Sequence, residues 1–176
     1  MRMVAIMMVA AIVGVLAPSP LAAQTAPVKA EVRQDWTEMK DTMMKIGEAM
    51  PGDKFSYKPT PAQRSCGEQI LHVASANVSV LKDVGGKAQP PTINMKATAK
   101  AEILKALGDS FDYGTALIDE QTDLSMLQRV KTLFHVGDAT RARVFYLLVG
   151  HAWDIYGQMA VYVRLNGITP PASQRP

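Results

Sequence analysis

The chain is short of sulfur chemistry. Its one cysteine, Cys66, excludes an intrachain disulfide, so stability has to come from packing. Other absences narrow the function. There is no paired-cysteine zinc motif, no glycine-rich phosphate loop and no dinucleotide fingerprint. No Gly-x-Ser-x-Gly elbow is present, nor a strand on which to mount a serine nucleophile. The formal net charge of +3 includes Arg2 and is not concentrated in a Lys/Arg-dense patch, so nucleic acid is not an expected partner. No internal repeat, low-complexity tract or strand-like alternation of useful length interrupts the reading. What remains is 176 residues, 48% of them apolar, enough for one compact domain with a real core.

Residues 1–23 read as a secretory signal. Arg2 supplies the positive start, Met3 to Leu16 the apolar run, and Pro18-Ser19-Pro20 breaks it ahead of Ala22-Ala23. Cleavage is expected after Ala23, which makes the mature protein periplasmic or secreted. The run falls short of the roughly 20 apolar residues that span a bilayer, and no cysteine follows it to carry a lipid. No stable membrane span is expected after cleavage.

Residues 24–176 carry four amphipathic segments. After a linker from Thr25 to Lys29, Val28, Val32, Trp36, Met39, Met43, Ile46 and Met50 recur in steps of four and three, the seam of a first helix that Pro51-Gly52 stops. Its methionines read as pliable core filler. The loop KFSYKPTPAQR follows, with Phe55 and Tyr57 available to pin it. Ser65-Cys66-Gly67-Glu68 then forms a capping box for a second helix through Ile70, Val73, Asn77, Val80 or Leu81, and Val84, closed by Gly85-Gly86. A loop with Pro90-Pro91 leads to a third helix, for which Thr98 is the expected cap and Ile103, Leu107, Phe111, Gly114 and Ile118 the seam. The connection from Asp119 to Ala139 is turn-rich, with a short helix expected around Leu124 to Phe134. The fourth helix is expected from Thr140 to Asn166, closed by Gly167, with Val144, Leu148, His151, Ile155, Gln158, Tyr162 and Leu165 on its seam. Its longest apolar run, Val144 to Gly150, is too short for a membrane span. Four helices joined by Pro/Gly loops give an all-α four-helix bundle, antiparallel or with a crossover.

Three histidines carry the candidate chemistry. His72 and His151 lie midway along the second and fourth helices, so neighbouring helices would bring both imidazoles into the bundle interior, where bundles build metal sites. Neutral imidazole suits zinc, nickel or iron. Glu68 lies four residues before His72 and Asp154 three after His151, so each pair can share a helix face and complete a divalent site. The plainer reading is that Glu68 only completes the capping box, Asp154 is solvated and the histidines are hydrogen-bonded interior residues. His135, close to Gly137 in a loop, reads as a surface residue. Cys66, near a helix start, is either a thiol made reactive by the helix dipole or, more ordinarily, a small core residue. Trp36 and Trp153 are expected to line the core or a pocket mouth.

Two stretches, MPGDKFSYKPTPAQRSCGEQILHVASAN from Met50 to Asn77 and GHAWDIYGQMAVYVRLNGITPPAS from Gly150 to Ser173, resemble the paired signatures of the DinB-like superfamily. The resemblance covers nearly all of residues 24–176. It implies a four-helix bundle, often a homodimer, with a divalent metal held by one histidine of the second helix and two, four residues apart, on the last. Some members resemble thiol-dependent transferases or hydrolases. His72 matches the first of these positions and His151 the second; the third falls on Ile155, which cannot ligate metal. The resemblance therefore points either to a binding or interaction module that has lost the usual site, or to a metal-dependent hydrolase or transferase in which Glu68, Asp154 or another residue fills the gap. An oxidising exterior, poor in free thiols, weakens the thiol-transfer reading.

Overall fold

The computed structural model describes residues 27–132 and 137–174, so the signal segment 1–23 and His135 lie outside the described residues. Four long helices carry the structure: α1 (Val28–Ala49), α2 (Cys66–Leu81), α3 (Lys100–Asp119) and α5 (Arg141–Leu165), with a single turn, α4 (Asp123–Met126), before the last. The family of seams expected from spacing forms the core. Val32, Trp36, Met39, Met43, Ile46 and Met50 of the first helical segment are buried against Ile70, Val73, Ile103, Leu107, Phe111, Val144, Leu148 and Ile155.

Side-chain pairs fix the directions of the helices. Arg33 reaches Asp119 at 2.7 Å and Lys40 reaches Asp112 at 2.6 Å, so α1 and α3 are antiparallel. Gln69 meets Gln158 at 2.6 Å, whereas Arg141 Nε donates to the Val84 carbonyl at 2.9 Å, so α2 and α5 are antiparallel too. Gly67 lies against Ile103 and Asn77 donates to Ser110 at 3.2 Å, which makes α2 and α3 parallel. The ring order is α1, α3, α2, α5, and the segment between α2 and α3 is the crossover that parallel neighbours require.

The α2 start follows its local sequence. Glu68 N donates to Ser65 Oγ at 3.2 Å, and Ser65 N donates to Glu68 Oε2 at 2.6 Å. Two further N–H groups at this end are satisfied by the preceding loop, Cys66 N by the Tyr57 carbonyl and Gly67 N by that of Phe55. Phe55 is buried, and the Tyr57 ring stands edge-on to Tyr162, so both aromatics pin the loop as their chemistry suggested. The far end of α2 tightens into a 3-10 turn, Lys82–Val84, and stops at Gly85, whose φ of +75° suits glycine.

Four local expectations fail, each for a physical reason. The cap of α3 is Ala99, without a side-chain bond, instead of Thr98; Lys100 Nζ donates to the Glu48 and Met50 carbonyls at the end of α1, so tertiary docking sets the start. Between α3 and α5 the expected helix over 124–134 is cut to α4, and an antiparallel pair follows, β1 (Arg129–Lys131) with β2 (Asp138–Thr140). Three-residue strands are too short to show alternation. On α5 the seam holds to Tyr162, but Leu165 is 59% exposed. A strict seven-residue pattern drifts on a straight helix by about 20° per heptad, and three heptads separate Val144 from Leu165. Finally, Trp36 is fully buried, whereas Trp153 is 51% exposed on the outer face of α5. No described helix is long and apolar enough to cross a membrane.

Candidate functional site

Antiparallel packing of α2 and α5 sets one imidazole from each at the same height. His72 Nε2 and His151 Nε2 are 3.1 Å apart, with ring centroids 4.9 Å apart and planes at 69°. The distance is that of a hydrogen bond, so one ring donates to the other. His151 Nδ1 is buried and has no partner. A buried N–H without an acceptor is rarer than an acceptor without a donor, so the hydrogen of His151 is assigned to Nε2, which donates to His72 Nε2. That tautomer leaves the Nδ1–H of half-buried His72 free as a donor.

Both rings are pushed toward the neutral form. Burial, then the positive charges of Arg64 and His151, push His72 below the ordinary histidine range. Burial does the same to His151, opposed by Asp154 and reinforced by Arg64. Arg64 immediately precedes the Ser65 cap, and its backbone carbonyl is fixed by the Tyr162 hydroxyl, which donates to it at 2.7 Å. No spacing rule on either helix marks this loop arginine as a neighbour of the histidines. Nor does spacing reveal the polar layer one turn away, where Gln69 Nε2 donates to Gln158 Oε1 at 2.6 Å and leaves the buried Gln69 Oε1 without a partner. The seam pattern marked Gln158 and Tyr162, but Gln69 falls off the α2 seam.

The carboxylates stay out of the pair. Glu68 is committed to the capping box and to Lys58 Nζ at 3.1 Å, and these bonds, the Ser65 backbone first, hold its carboxyl below the usual range. Asp154 is exposed and accepts from Gln158 Nε2 at 3.2 Å. Ile155 is 2% exposed and packs in the core. Cys66 is fully buried beneath the cap, and burial pushes its thiol up to about 12, which makes it a packing residue and a poor nucleophile.

A single cation bound at about 2.0–2.1 Å from each nitrogen can bridge atoms 3.1 Å apart, so the two imidazoles suit a shared ion. They are not enough for a catalytic centre with three protein ligands. No group of three or more His, Cys, Asp or Glu side chains able to hold a metal occurs among the described residues. His151 Nδ1 also lacks the carboxylate or carbonyl that ordinarily orients a metal-bound imidazole. The described residues therefore do not fit a three-ligand metal site, and no chemical step is assigned through one.

Space opens on two sides of the pair. An apolar cavity of about 320 Å³ lies between α2 and α5, lined by His72, Ala76, Val80, Leu147, Leu148 and His151. A more open polar cleft of about 500 Å³ has Lys58, Gln63, Arg64, Glu68 and Met95 in its walls, together with His72. His72 belongs to both.

Two solved structures share this architecture. A DinB-like protein from Bacillus cereus ATCC 10987 is 20% identical and superposes with a TM-score of 0.69 over 81% of this chain and 95% of that one. A DinB-like protein from Bacillus subtilis is 16% identical, with a TM-score of 0.62 over 82% of this chain and 99% of that one. Identities this low speak to the fold alone. No curated protein matches the chain. The family description DinB superfamily matches residues 35–159, from the core tryptophan of α1 through both histidines to the last turns of α5. The chain belongs to the DinB superfamily.

Proposed function

We propose that this is an exported, periplasmic or secreted member of the superfamily that acts as a non-catalytic ligand-binding or interaction module, with a degenerate metal site at His72 and His151. The observation that carries this reading is the direct 3.1 Å bond between the two imidazoles, which satisfies with protein the nitrogens a metal would otherwise draw on. Ile155, buried where the resemblance expects a third histidine, supports it. So does the cationic Arg64 beside the pair, which disfavours a second positive charge. The exposed apolar face of α5 supports homodimerisation as one form of interaction.

A zinc, nickel and iron(II) titration of the demetallated protein, read by calorimetry with His151→Ala as control, tests the site. Weak or absent binding is expected. Tight one-to-one binding lost in the control, with metal-dependent turnover that His72→Ala and His151→Ala abolish, would establish the alternative, a metal-dependent hydrolase or transferase. The N···N distance, which suits a shared cation, is what keeps that alternative in view. Intact-mass spectrometry of exported protein tests the location: retention of residues 1–23 would overturn cleavage after Ala23.

A further inference from the structure

Two cations around the start of α2 are already engaged. Lys58 is paired with Glu68, and Lys100 caps the carbonyls of α1. Arg64 differs: its guanidinium makes no hydrogen bond or ion pair with a described residue, yet it lines the open cleft beside His72. A free guanidinium next to an imidazole N–H is a place for a planar anion, which can take two parallel N–H bonds from the arginine. Across His72 the surroundings change character, and the cavity walls are mostly the methyl-bearing side chains of Ala76, Val80, Leu147 and Leu148, with Ser75 and Ser79 along the α2 side.

We propose that the cleft and the cavity, which share His72 as a wall, form one site for a small amphiphilic carboxylate. Its head is held by Arg64 and the His72 N–H, and its alkyl tail lies in the apolar cavity between α2 and α5. This rests on reading the bundle as a ligand-binding module and names the ligand class. The charge balance of the cleft selects a single negative charge. Glu68 stands in the same wall and repels a dianion such as a phosphate monoester, and Lys58 is tied to Glu68. Size selects a small tail, because about 320 Å³ lies at the low end of ligand pockets. Neither element alone binds well: the cleft is open to water, where a lone ion pair gains little, and the cavity offers only apolar burial.

The test is calorimetric titration of the purified protein with octanoate, octanol and acetate. Octanoate is expected to bind one-to-one and at least tenfold more tightly than either fragment. Arg64→Gln should weaken octanoate at least tenfold while leaving octanol unchanged, and Ala76→Phe, which fills the cavity, should weaken both. Where Ala76→Phe fails to fold, Ser79→Phe, at an exposed position on the same cavity wall, gives the same readout. Octanol binding as well as octanoate, with no effect of Arg64→Gln, would overturn the carboxylate assignment and leave the binding module standing. Binding by none of the three to folded protein would overturn the site itself. Tight metal binding with turnover in that same preparation would overturn the module reading as well.

Discussion

The indole of Trp36 occupies the space that a side chain at position 114 would need. A Cβ built on Gly114 would lie 2.3 Å from Trp36 Cζ2. The indole is fully buried, donates through Nε1 to the Phe111 carbonyl at 2.8 Å, and is held edge-on to Phe145, so it has nowhere to move. Gly114→Ala should therefore lose about 1–3 kcal/mol in urea unfolding despite its better helix propensity. Gly108→Ala, on the same helix with nothing within 4 Å of its Cβ, should gain about 0.5–1 kcal/mol. Equal signs for the two substitutions would contradict the packing described.

Cys66 provides a reporter of opening. Its thiol is fully buried and pushed up to about 12, so neither access nor thiolate is available in the folded state. Labelling by a disulfide reagent near pH 8 should run at least a hundredfold slower than in urea-unfolded chain. Fast labelling under native conditions would show that the capped end of α2 opens on its own.

The histidine pair predicts acid sensitivity. Both folded values lie below the ordinary value of 6.5, so the unfolded chain takes up protons first as pH falls. The stabilisation is complete above about pH 6.5 and is lost as pH drops from there toward the depressed folded values. Melting temperature at constant ionic strength should fall between about pH 7 and about pH 5, with a shallower fall in His72→Gln/His151→Gln. A parallel fall in that variant would place the acid sensitivity elsewhere.

Ile155→His restores the residue that the family pattern expects at a position where α5 faces the core. If His72 and His151 keep the family's ligand positions, zinc affinity should rise at least tenfold, at the cost of some stability from a polar group in a site only 2% exposed. Unchanged affinity in a folded variant would mean that the pair no longer aims at a common ion.

On the outer face of α5, Tyr146, Trp153 and Val161 stand 41%, 51% and 50% exposed, and Gly150 and Gly157 between them have open space around them. Apolar bulk alternating with glycine along one helix face allows a second helix close approach. In sedimentation velocity the protein should run as a dimer and Trp153→Glu as a monomer with unchanged helicity. A wild-type monomer at high concentration would remove homodimerisation from the proposal.

The features legible in the sequence were those set by residues a turn or two apart. The Ser65–Glu68 box, the stop at Gly85 and the seams of α1, α2 and α3 are all of this kind, and each is where spacing put it. The meeting of His72 with His151 was also within reach, because both sit midway along helices that a bundle can bring together. Arg64 was not: its approach depends on how the loop before α2 folds onto Tyr162, a contact made 98 positions further along the chain. The start of α3 escaped for a similar reason, since Lys100 answers to carbonyls of α1. Trp153 shows the complementary failure. Its residue type implies burial, but only the packed bundle decides which side of α5 is covered.

The imidazole pair joins residues separated by 79 positions, and the second of them belongs to the last long helix. A chain made from its N-terminus can complete α1, α2 and α3 while the α2 face that carries His72 is still uncovered. The docking of α5 is thus the step that joins the two imidazoles, and a chain truncated before Arg141 would keep His72 without its partner and leave the faces of α1 and α2 that α5 covers open to solvent.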